Sequence, residues 1–315
     1  PSVERRMPAS SLTMAVATSG LTAPIKSGAI DLGHLELAQV EVTLITKAMR
    51  QMVRGLAFDI CEMAITTYLC ARAHGKPITA IPVFVTRNFH HWAAFTTDKD
   101  GIRSPRDLEG RRVAVNRGYT VTTGVWVRAI LQHEYGVDLA KITWVPTDDE
   151  HVAEFVNPEN VDISRRGKDA ADLLLSGDCV AAIGDVKSGS PLVRPLIADA
   201  RAAGFDYFRR TGIYPINHTI AVRNDVLARH PTLAQDLYDV FVRARDAYDR
   251  HLGGLTTAAG ADAGPAEIRR VLGIDPFPYG IAANRPALEA ICRFAQEQGI
   301  VAAPLALADL FAPVT

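Results

Sequence analysis

The stretch LAFDICEMAITTYLCARAHGKPITAIPVFV, residues 56–85, contains the pattern from which the fold class follows. An apolar run at 56–60 is followed by residues of helical character up to Gly75, and then by a β-rich run at 78–85. Helices commonly end at a glycine, and two short apolar runs joined by a helix are typical of a β-α-β unit. The segment therefore predicts an α/β protein.

The same alternation continues on both sides of this segment. Further strands are predicted at 11–18, 91–97, 111–116, 142–146, 179–185 and 216–225, and further helices at 120–136, 169–177, 231–252 and 285–299. The change of character at the polar stretch 98–112 indicates a linker into a second set of strands.

Two α/β lobes account for this order most simply. We expect lobe one to contain residues 10–97 and 217–315, and lobe two, inserted into it, to contain residues 98–216. The two crossings are expected near 96–101 and 213–219. Ligands of such proteins bind in the cleft between lobes, at the carboxyl ends of the strands.

Composition limits the class of partner. The chain has 315 residues, of which 48% are hydrophobic and 22% charged, and 34 basic against 35 acidic residues give a net charge of −1. A balanced charge provides no general attraction to nucleic acid or to an anionic membrane. No apolar run reaches the roughly 20 residues that span a bilayer. We expect a small-molecule partner and allow for a homo-oligomer.

The cysteines and the first residues of the chain indicate the cellular compartment. Cys61, Cys70, Cys179 and Cys292 show neither a CxxC pair nor zinc spacing, which favours free thiols in a reducing compartment. The opening PSVERRMPASS lacks the apolar stretch of a secretory signal, although a leader could have been removed and Met7 could be the natural start. The expected location is the cytoplasm.

The segment TRNFHHWAAF, residues 86–95, suggests an anionic ligand. It places Arg87, His90 and His91 among aromatic residues, and a buried cation is costly unless something pairs with it. In an extended strand successive side chains point to opposite faces, so only one of the two histidines can reach a cleft. The other is then a structural residue.

Four further places fall at the ends of predicted strands. Ser19 lies in a small-residue loop, Glu62 near a predicted helix start, and Asp185 directly after an apolar strand. A helix-terminal acid and a plain turn are the simpler explanations for Glu62 and Asp185. In NRGYT, residues 116–120, backbone N–H groups at a helix start would suit an anion.

The acidic run from Asp148 to Glu150, next to His151, has two explanations. It could bind a metal ion, but no second ligand cluster with suitable spacing follows it. The pattern favours a solvated loop.

Several motifs together resemble the family of 4,5-dihydroxyphthalate decarboxylases, whose fold is similar to that of type II periplasmic binding proteins. They are FDICEMAITTYLCARAHGKPITAIPVFVTRNFHH (58–91), GIRSPRDLEGRRVAV (101–115), RRTGIYPINHTIAVR (209–223) and PYGIAANRPALEAICRFAQEQGI (278–300). The resemblance runs from about Ser11 to the end of the chain. After the strand at 111–116, relatives usually carry a Pro-Glu-Tyr-Gln-like loop in place of NRGYT, and this difference bears on which substrate is bound.

The resemblance implies a lyase of aromatic catabolism, such as phthalate degradation. It would decarboxylate a hydroxylated aromatic (di)carboxylate, for example 4,5-dihydroxyphthalate to protocatechuate and CO2, without a cofactor. Arg87 would bind the retained carboxylate, and Glu62 would accept from a ring hydroxyl. His91 or His218 would donate a proton, with His91 the favoured donor and His90 a structural residue. The substrate-binding residues would be Ser19, Gly118, Tyr119, Thr120, Asp185, Asn217 and Tyr279.

Two alternatives stay open. A solute-binding protein of the same fold would also bind a small carboxylate between its lobes, without turnover. In a metal-assisted decarboxylase, Glu62, His91 and His218 would hold a divalent ion that polarises the substrate.

Overall fold

The computed structural model describes residues 11–315, with only the backbone at residue 100. Its first sheet has the strand order β2-β1-β3-β10-β4. The strands are β1 (Leu12–Ala15), β2 (Leu37–Gln39), β3 (Ile60–Ala64), β4 (Ile78–Arg87) and β10 (Ile216–Arg223). β1 is parallel to β2 and β3, whereas β10 is antiparallel to both of its neighbours.

The second sheet has the order β7-β6-β8-β5-β9. Its strands are β5 (Ala94–Thr97), β6 (Arg112–Val115), β7 (Thr143–Pro146), β8 (Ala181–Ile183) and β9 (Val193–Pro195). β6 is parallel to β7 and β8, and β5 runs antiparallel between β8 and β9. The chain thus leaves the first sheet after β4, builds the second sheet and returns with β10, so the second lobe is inserted into the first.

The helices lie between and around these strands. They are α1 (Ala23–Lys26), α2 (Ile45–Gly55), α3 (Ile65–Ala73), α4 (Thr122–Tyr135), α5 (Ala170–Ser176), α6 (Ala200–Thr211), α7 (Asn224–Arg229), α8 (Leu233–Gly254), α9 (Ala263–Leu272), α10 (Ile281–Glu297) and α11 (Leu307–Leu310). Within residues 11–315 no helix has the length and apolar character needed to cross a membrane.

The late helices cover the first lobe and join it to the second. Leu237, Phe241, Ala244 and Tyr248 of α8 are buried in one cluster with the strands of the first sheet. Their spacing of three and four residues places them on one helix face. α10 packs against both α3 and α4, so it contacts each lobe.

The first crossing differs from the expected position. Because β5 pairs with β8 and β9, residues 94–97 belong to the second sheet, although the sequence had placed them in lobe one. The chain therefore crosses at 88–93 rather than near 96–101, and it returns between α6 and β10, at 212–215.

The strand predicted at 56–60 is also shifted. Leu56 has a left-handed backbone conformation that ends α2, and the strand begins only at Ile60. Asp59 is held across to the first strand, where its carboxylate accepts hydrogen bonds from the backbone N–H and the hydroxyl of Thr13 at 2.9 and 2.8 Å. As a consequence Glu62 lies in the middle of β3 and not at a helix start.

Candidate functional site

A cavity of about 210 Å³ lies between the two lobes. The second lobe contributes the loops that follow the carboxyl ends of β6, β7 and β8, at 116–118, 149–151 and 184–185. The first lobe contributes α2, α3 and the beginning of β10. The cavity therefore occupies the place where strand ends of an α/β fold converge on a ligand.

A carboxylate and an imidazole are paired at this cavity. Glu62 Oε1 lies 2.6 Å from His218 Nδ1, and Glu62 Oε2 accepts a hydrogen bond of 2.8 Å from the backbone N–H of Ala17. Glu62 is only 2% exposed, whereas the His218 side chain is 21% exposed and lines the cavity. Glu62 thus orients the imidazole, and Nε2 is the ring nitrogen that remains for a ligand.

Arg117 supplies the unpaired cation of the site. Its backbone has φ 80°, a conformation that costs a non-glycine residue energy and is often found at functional sites. Thr147 holds it there: Thr147 Oγ1 accepts from Arg117 N at 2.8 Å, and Arg117 O accepts from Thr147 N at 2.9 Å. Arg117 lines the cavity, and its guanidinium makes no hydrogen bond or ion pair with the described residues.

The backbone N–H groups predicted to bind an anion do so, but the anion is the protein's own Glu150. Its Oε1 accepts from Tyr119 N at 2.5 Å, and its Oε2 accepts from the backbone N–H and the hydroxyl of Thr120 at 3.0 and 2.6 Å. A Cβ at Gly118 would lie 2.7 Å from Oε2, so the glycine permits the approach of this carboxylate. Glu150 is buried, and the expectation of a solvated acidic loop is wrong for this residue.

Two arginines of the first lobe hold the loop that carries Glu150. Arg54, near the end of α2, donates from Nη2 to the carbonyl oxygen of Glu150 at 2.7 Å and from Nε to that of His151 at 3.0 Å. Arg50, one turn earlier, donates to the carbonyl oxygen of Asp149 at 3.0 Å. These bonds cross from one lobe to the other beside the cavity.

His151 is the second histidine of the cavity. Its Nδ1 lies 3.2 Å from the hydroxyl oxygen of Thr67 on α3. Burial, followed by the nearby charges of Arg50 and Arg117, lowers the pKa of His151 from 6.5 to about 4. The ring is therefore neutral at pH 7.

Asn217 and Asp185 also line the cavity. Asn217 lines the cavity, and its Oδ1 is 3.0 Å from His90 Nε2 behind it. Asp185 lies at the rim with a side chain that is 59% exposed, and its backbone oxygen accepts from Asn116 Nδ2 at 2.7 Å. Of the residues predicted from sequence, His218, Gly118, Thr120, Asp185 and Asn217 line this cavity, with Glu62 directly behind His218.

Arg87 is not among the residues that line this cavity. Its Nη2 donates to the carbonyl oxygen of Tyr214 at 2.9 Å, and its guanidinium carbon is 4.6 Å from the centre of the Tyr214 ring. It lines two other cavities, of about 580 and 220 Å³. Burial lowers its pKa to about 10. Arg87 thus lines other cavities than the one that His218 lines, and its Nε and Nη1 have no hydrogen-bond partner among the described residues.

His90 and His91 do not alternate along a strand, because residues 91–93 form a turn and β5 begins only at Ala94. Both rings are buried, and burial lowers the pKa of His90 to about 3 and that of His91 to about 4. His91 packs on Tyr207 with ring centres 5.3 Å apart and does not line the cavity. His90 is the one of the pair that approaches it, through Asn217.

The metal-assisted alternative requires Glu62, His91 and His218 to lie together. Glu62 and His218 are bonded to each other, but His91 is not brought to them. Across residues 11–315, no group of three or more His, Cys, Asp or Glu side chains is placed to hold a metal ion.

Three other predicted residues lie outside the cavity. Ser19 is exposed and accepts hydrogen bonds through its carbonyl oxygen from the first turn of α1. The Tyr119 ring is 4.0 Å from the guanidinium carbon of Arg128, and its hydroxyl donates to Gln298 O at 3.2 Å. Tyr279 is buried in the first lobe, and its hydroxyl has no partner among the described residues.

Sequence reasoning missed Arg117, His151 and Thr67 as site residues. Arg117 lies in the loop NRGYT, residues 116–120, which differs from the loop of the relatives. This difference could have identified Arg117 as a site residue. His151 follows the acidic run, whose charges favoured a solvated loop. For Thr67, inside an ordinary helix, the sequence carries no signal that we recognise.

Comparison with known proteins agrees with the fold and adds a family. Residues 28–247 match the family described as NMT1/THI5 like. Over 280 residues the chain is 30% identical to a protein named 4,5-dihydroxyphthalate decarboxylase from Comamonas testosteroni, with 83% of this chain and 84% of the relative covered.

Two solved structures are similar along almost the whole chain. The alkanesulfonate-binding protein SsuA from Xanthomonas axonopodis pv. citri, bound to MOPS, gives a TM-score of 0.57 at 13% identity and covers 97% of this chain and 99% of its own. The desulfurization enzyme DSZB gives 0.51 at 17% identity, with 96% of each chain covered. These similarities confirm the predicted two-lobed fold of periplasmic binding proteins, a fold found in a binding protein and in an enzyme.

Proposed function

The chain belongs to the NMT1/THI5 like family, and we propose that it is a decarboxylase that releases CO2 from a hydroxylated aromatic carboxylate in the breakdown of aromatic compounds. The name of the relative, 4,5-dihydroxyphthalate decarboxylase, supports the reaction class. The observation that carries the proposal is that the unpaired Arg117 and the Glu62-oriented His218 line one small cavity.

The reaction needs a proton at one ring carbon. A proton adds to the carbon that bears the carboxylate, and a hydroxyl para to that carbon supplies electron density as it loses its own proton. The bond between ring carbon and carboxylate then breaks, CO2 leaves, and the electron pair of that bond restores the aromatic ring. Acid–base assistance of this kind contributes roughly 10²–10⁴-fold.

The cavity offers a group for the acid and a group for the anion. His218 would deliver the proton from Nε2, because Nδ1 is engaged with Glu62. Arg117 would hold a carboxylate of the substrate, since its planar guanidinium can make two parallel hydrogen bonds to a carboxylate. This assignment replaces Arg87, which lies elsewhere, as the anion-binding arginine.

The proposed substrate is a small aromatic acid with at least one ring hydroxyl, such as 4,5-dihydroxyphthalate. The proposed chemistry is written without a cofactor, because the proton transfer and the anion binding are both within reach of side chains. A cytoplasmic location is part of the same proposal, as expected for a catabolic lyase.

A non-catalytic solute-binding protein is the second candidate. The observation in its favour is that an unpaired arginine between two lobes would hold a transported anion equally well. The two candidates differ in turnover, because only the enzyme consumes its ligand.

The decisive experiment measures CO2 release from a panel of aromatic carboxylates, with and without ring hydroxyls, each in the presence and absence of a chelator. We expect CO2 from hydroxylated members, a large loss in His218→Gln, and no loss in the matched control His230→Gln, which replaces an exposed histidine. Tight binding of the same compounds without CO2 release would favour the solute-binding protein. Loss of activity with the chelator would favour the metal-assisted reaction.

A further inference from the structure

The proposed reaction leaves one role unfilled, which is the acceptor for the ring hydroxyl. Glu62, the residue expected to accept it, has both oxygens engaged and is 2% exposed. Glu150 is likewise engaged, by three donors of its own chain. Asp149 pairs with Arg166 at 2.8 Å and is 60% exposed, and Asp185 lies at the exposed rim. None of these carboxylates is placed as a sheltered acceptor.

We propose that His151 binds the ring hydroxyl of the substrate through Nε2 and accepts its proton, while its Nδ1–H is donated to Thr67. The inference rests on the proposed function and assigns the second proton-handling group of the same site. Its probe ligands are aromatic carboxylates that carry a ring hydroxyl.

The surroundings of His151 favour an acceptor. Its Nδ1 is 3.2 Å from Thr67 Oγ1, a contact that fixes the ring when Nδ1 carries the proton. None of the described residues hydrogen-bonds to Nε2, and the residue lines the cavity. Arg54 also fixes its backbone, by donating to its carbonyl oxygen at 3.0 Å.

The charges around the ring keep the imidazole neutral in the free protein and able to accept a hydrogen bond. Arg50 and Arg54 on α2 and Arg117 on the facing loop disfavour a positive charge on the imidazole, and Asp148 opposes them in part. Together with burial they lower the pKa of His151 to about 4, so the free enzyme presents a lone pair at neutral pH. His218 differs, because the Glu62 carboxylate is bonded to its Nδ1. Two histidines in contrasting surroundings are suited to opposite proton-transfer roles.

The proton balance is complete with these two residues. The hydroxyl proton moves to His151 Nε2 as the ring carbon receives a proton from His218. When CO2 leaves, the bonding electron pair returns to the ring, and the His151 imidazolium gives its proton back to the oxygen. His218 is then reprotonated from water, so that each turnover consumes one proton and releases one CO2.

Equilibrium binding tests the assignment without requiring turnover. The probes are 3,4-dihydroxybenzoate and benzoate, which share the carboxylate and differ in the hydroxyls. We expect the wild type to bind the dihydroxy compound at least about tenfold more tightly, because a site built to bond a hydroxyl rejects a ligand that lacks it. His151→Leu should abolish this preference and leave the affinity for benzoate unchanged.

Thr67→Val tests the orientation of the ring while retaining the histidine. Removing the acceptor for Nδ1–H should reduce the preference for the dihydroxy probe several-fold. His230→Gln serves as the control at an exposed histidine, and the thermal unfolding of each variant shows whether it is folded. If His151→Leu does not fold, the preference of Thr67→Val for the dihydroxy probe tests the assignment by itself. An unchanged preference in that variant would overturn it.

Turnover separates this inference from the proposed function. With a substrate that releases CO2, His151→Leu should lower kcat by about 100-fold. Unchanged kcat together with an unchanged preference for the dihydroxy probe would overturn the role of His151 and leave the decarboxylase intact. If no compound releases CO2, the proposed function fails, and the binding preference still decides whether His151 recognises a hydroxyl.

Discussion

Two regions of the molecule combine arginine and histidine, and they do so in different ways. The crossing segment, taken as residues 87–93 from the last residue of β4 to the start of β5, contains Arg87, His90 and His91. The cavity loops, residues 116–120 and 147–151, contain Arg117 and His151. In the crossing segment the Arg87 guanidinium packs on the Tyr214 ring and donates one hydrogen bond to the Tyr214 carbonyl oxygen, whereas in the cavity loops Arg117 makes no side-chain hydrogen bond or ion pair with the described residues.

The difference shows that residue type alone does not identify an anion site. In both regions burial lowers the pKa of the histidines, so a perturbed pKa is common to both. Only the cavity loops lie beyond the carboxyl ends of parallel strands. Arg87 also lines cavities and has two nitrogens, Nε and Nη1, without a partner among the described residues. What distinguishes Arg117 is its position beyond the strand ends, at the same cavity as His218.

The largest expected effect contrasts a histidine of the cavity with one of the crossing segment. His218→Gln should lower kcat by about 100-fold or more, because Nε2 of His218 is the proposed proton donor. His91→Gln should change kcat by less than about threefold, since His91 packs on Tyr207 away from the cavity. Steady-state kinetics of both variants checks this, and a reversed order would return the chemistry to the crossing segment.

The next effect concerns stability at acid pH. His91 is fully buried, and its pKa falls from 6.5 to about 4 on folding. Between these values the unfolded chain binds the proton and the folded chain does not, so stability is lost as pH falls. From pH 7 to pH 5 the loss is about 2 kcal/mol for this residue.

Denaturant unfolding at pH 7 and pH 5 measures this loss. His91→Gln removes the titrating ring. Between pH 7 and pH 5 the variant should therefore lose less free energy of unfolding than the wild type. His230→Gln, at an exposed position, should keep the dependence of the wild type. An equal pH dependence in all three proteins would show that folding does not change the pKa of His91.

The arginines provide the third contrast. Arg117→Lys should raise KM for an aromatic carboxylate by about tenfold, because an ammonium lacks the planar fork of the guanidinium. Arg87→Lys should leave KM unchanged and lower the free energy of unfolding by about 1–2 kcal/mol, through the hydrogen bond and ring contact to Tyr214. Kinetics and denaturant unfolding of both variants test the pair. A raised KM in Arg87→Lys alone would place the carboxylate at the crossing segment.

Much of the fold could be predicted from the sequence, because the alternation of apolar strands and helices is local information. The inserted second lobe followed from that order. Its first boundary was misplaced because residues 91–97 look equally strand-like throughout, and only the pairing of β5 with β8 shows to which sheet they belong. Glu62 was placed on a helix because the apolar run at 56–60 gives no sign that Leu56 ends α2.

The site was less predictable, because its residues meet through tertiary contacts. The Glu62–His218 contact joins residues 156 positions apart, and it was anticipated only as two members of one family-derived set. Glu150 filling the anion site at 118–120 depends on a contact over 30 positions, which no local pattern reveals. The alternation rule failed for His90 and His91 because it assumes a strand, and a turn lies there instead.

The smallest effects are expected at two tyrosines that the sequence assigned to substrate binding and the structure places outside the cavity. The Tyr119 hydroxyl donates to Gln298 O at 3.2 Å, so Tyr119→Phe leaves a buried acceptor without its donor and should cost about 1 kcal/mol of stability. The Tyr279 hydroxyl has no partner among the described residues, so Tyr279→Phe removes no hydrogen bond and should change stability by less than about 0.5 kcal/mol. Neither substitution should alter KM, because neither hydroxyl lies at the cavity. Chemical denaturation and steady-state kinetics measure both quantities, and a raised KM in Tyr279→Phe would show that the ligand extends well beyond the cavity loops.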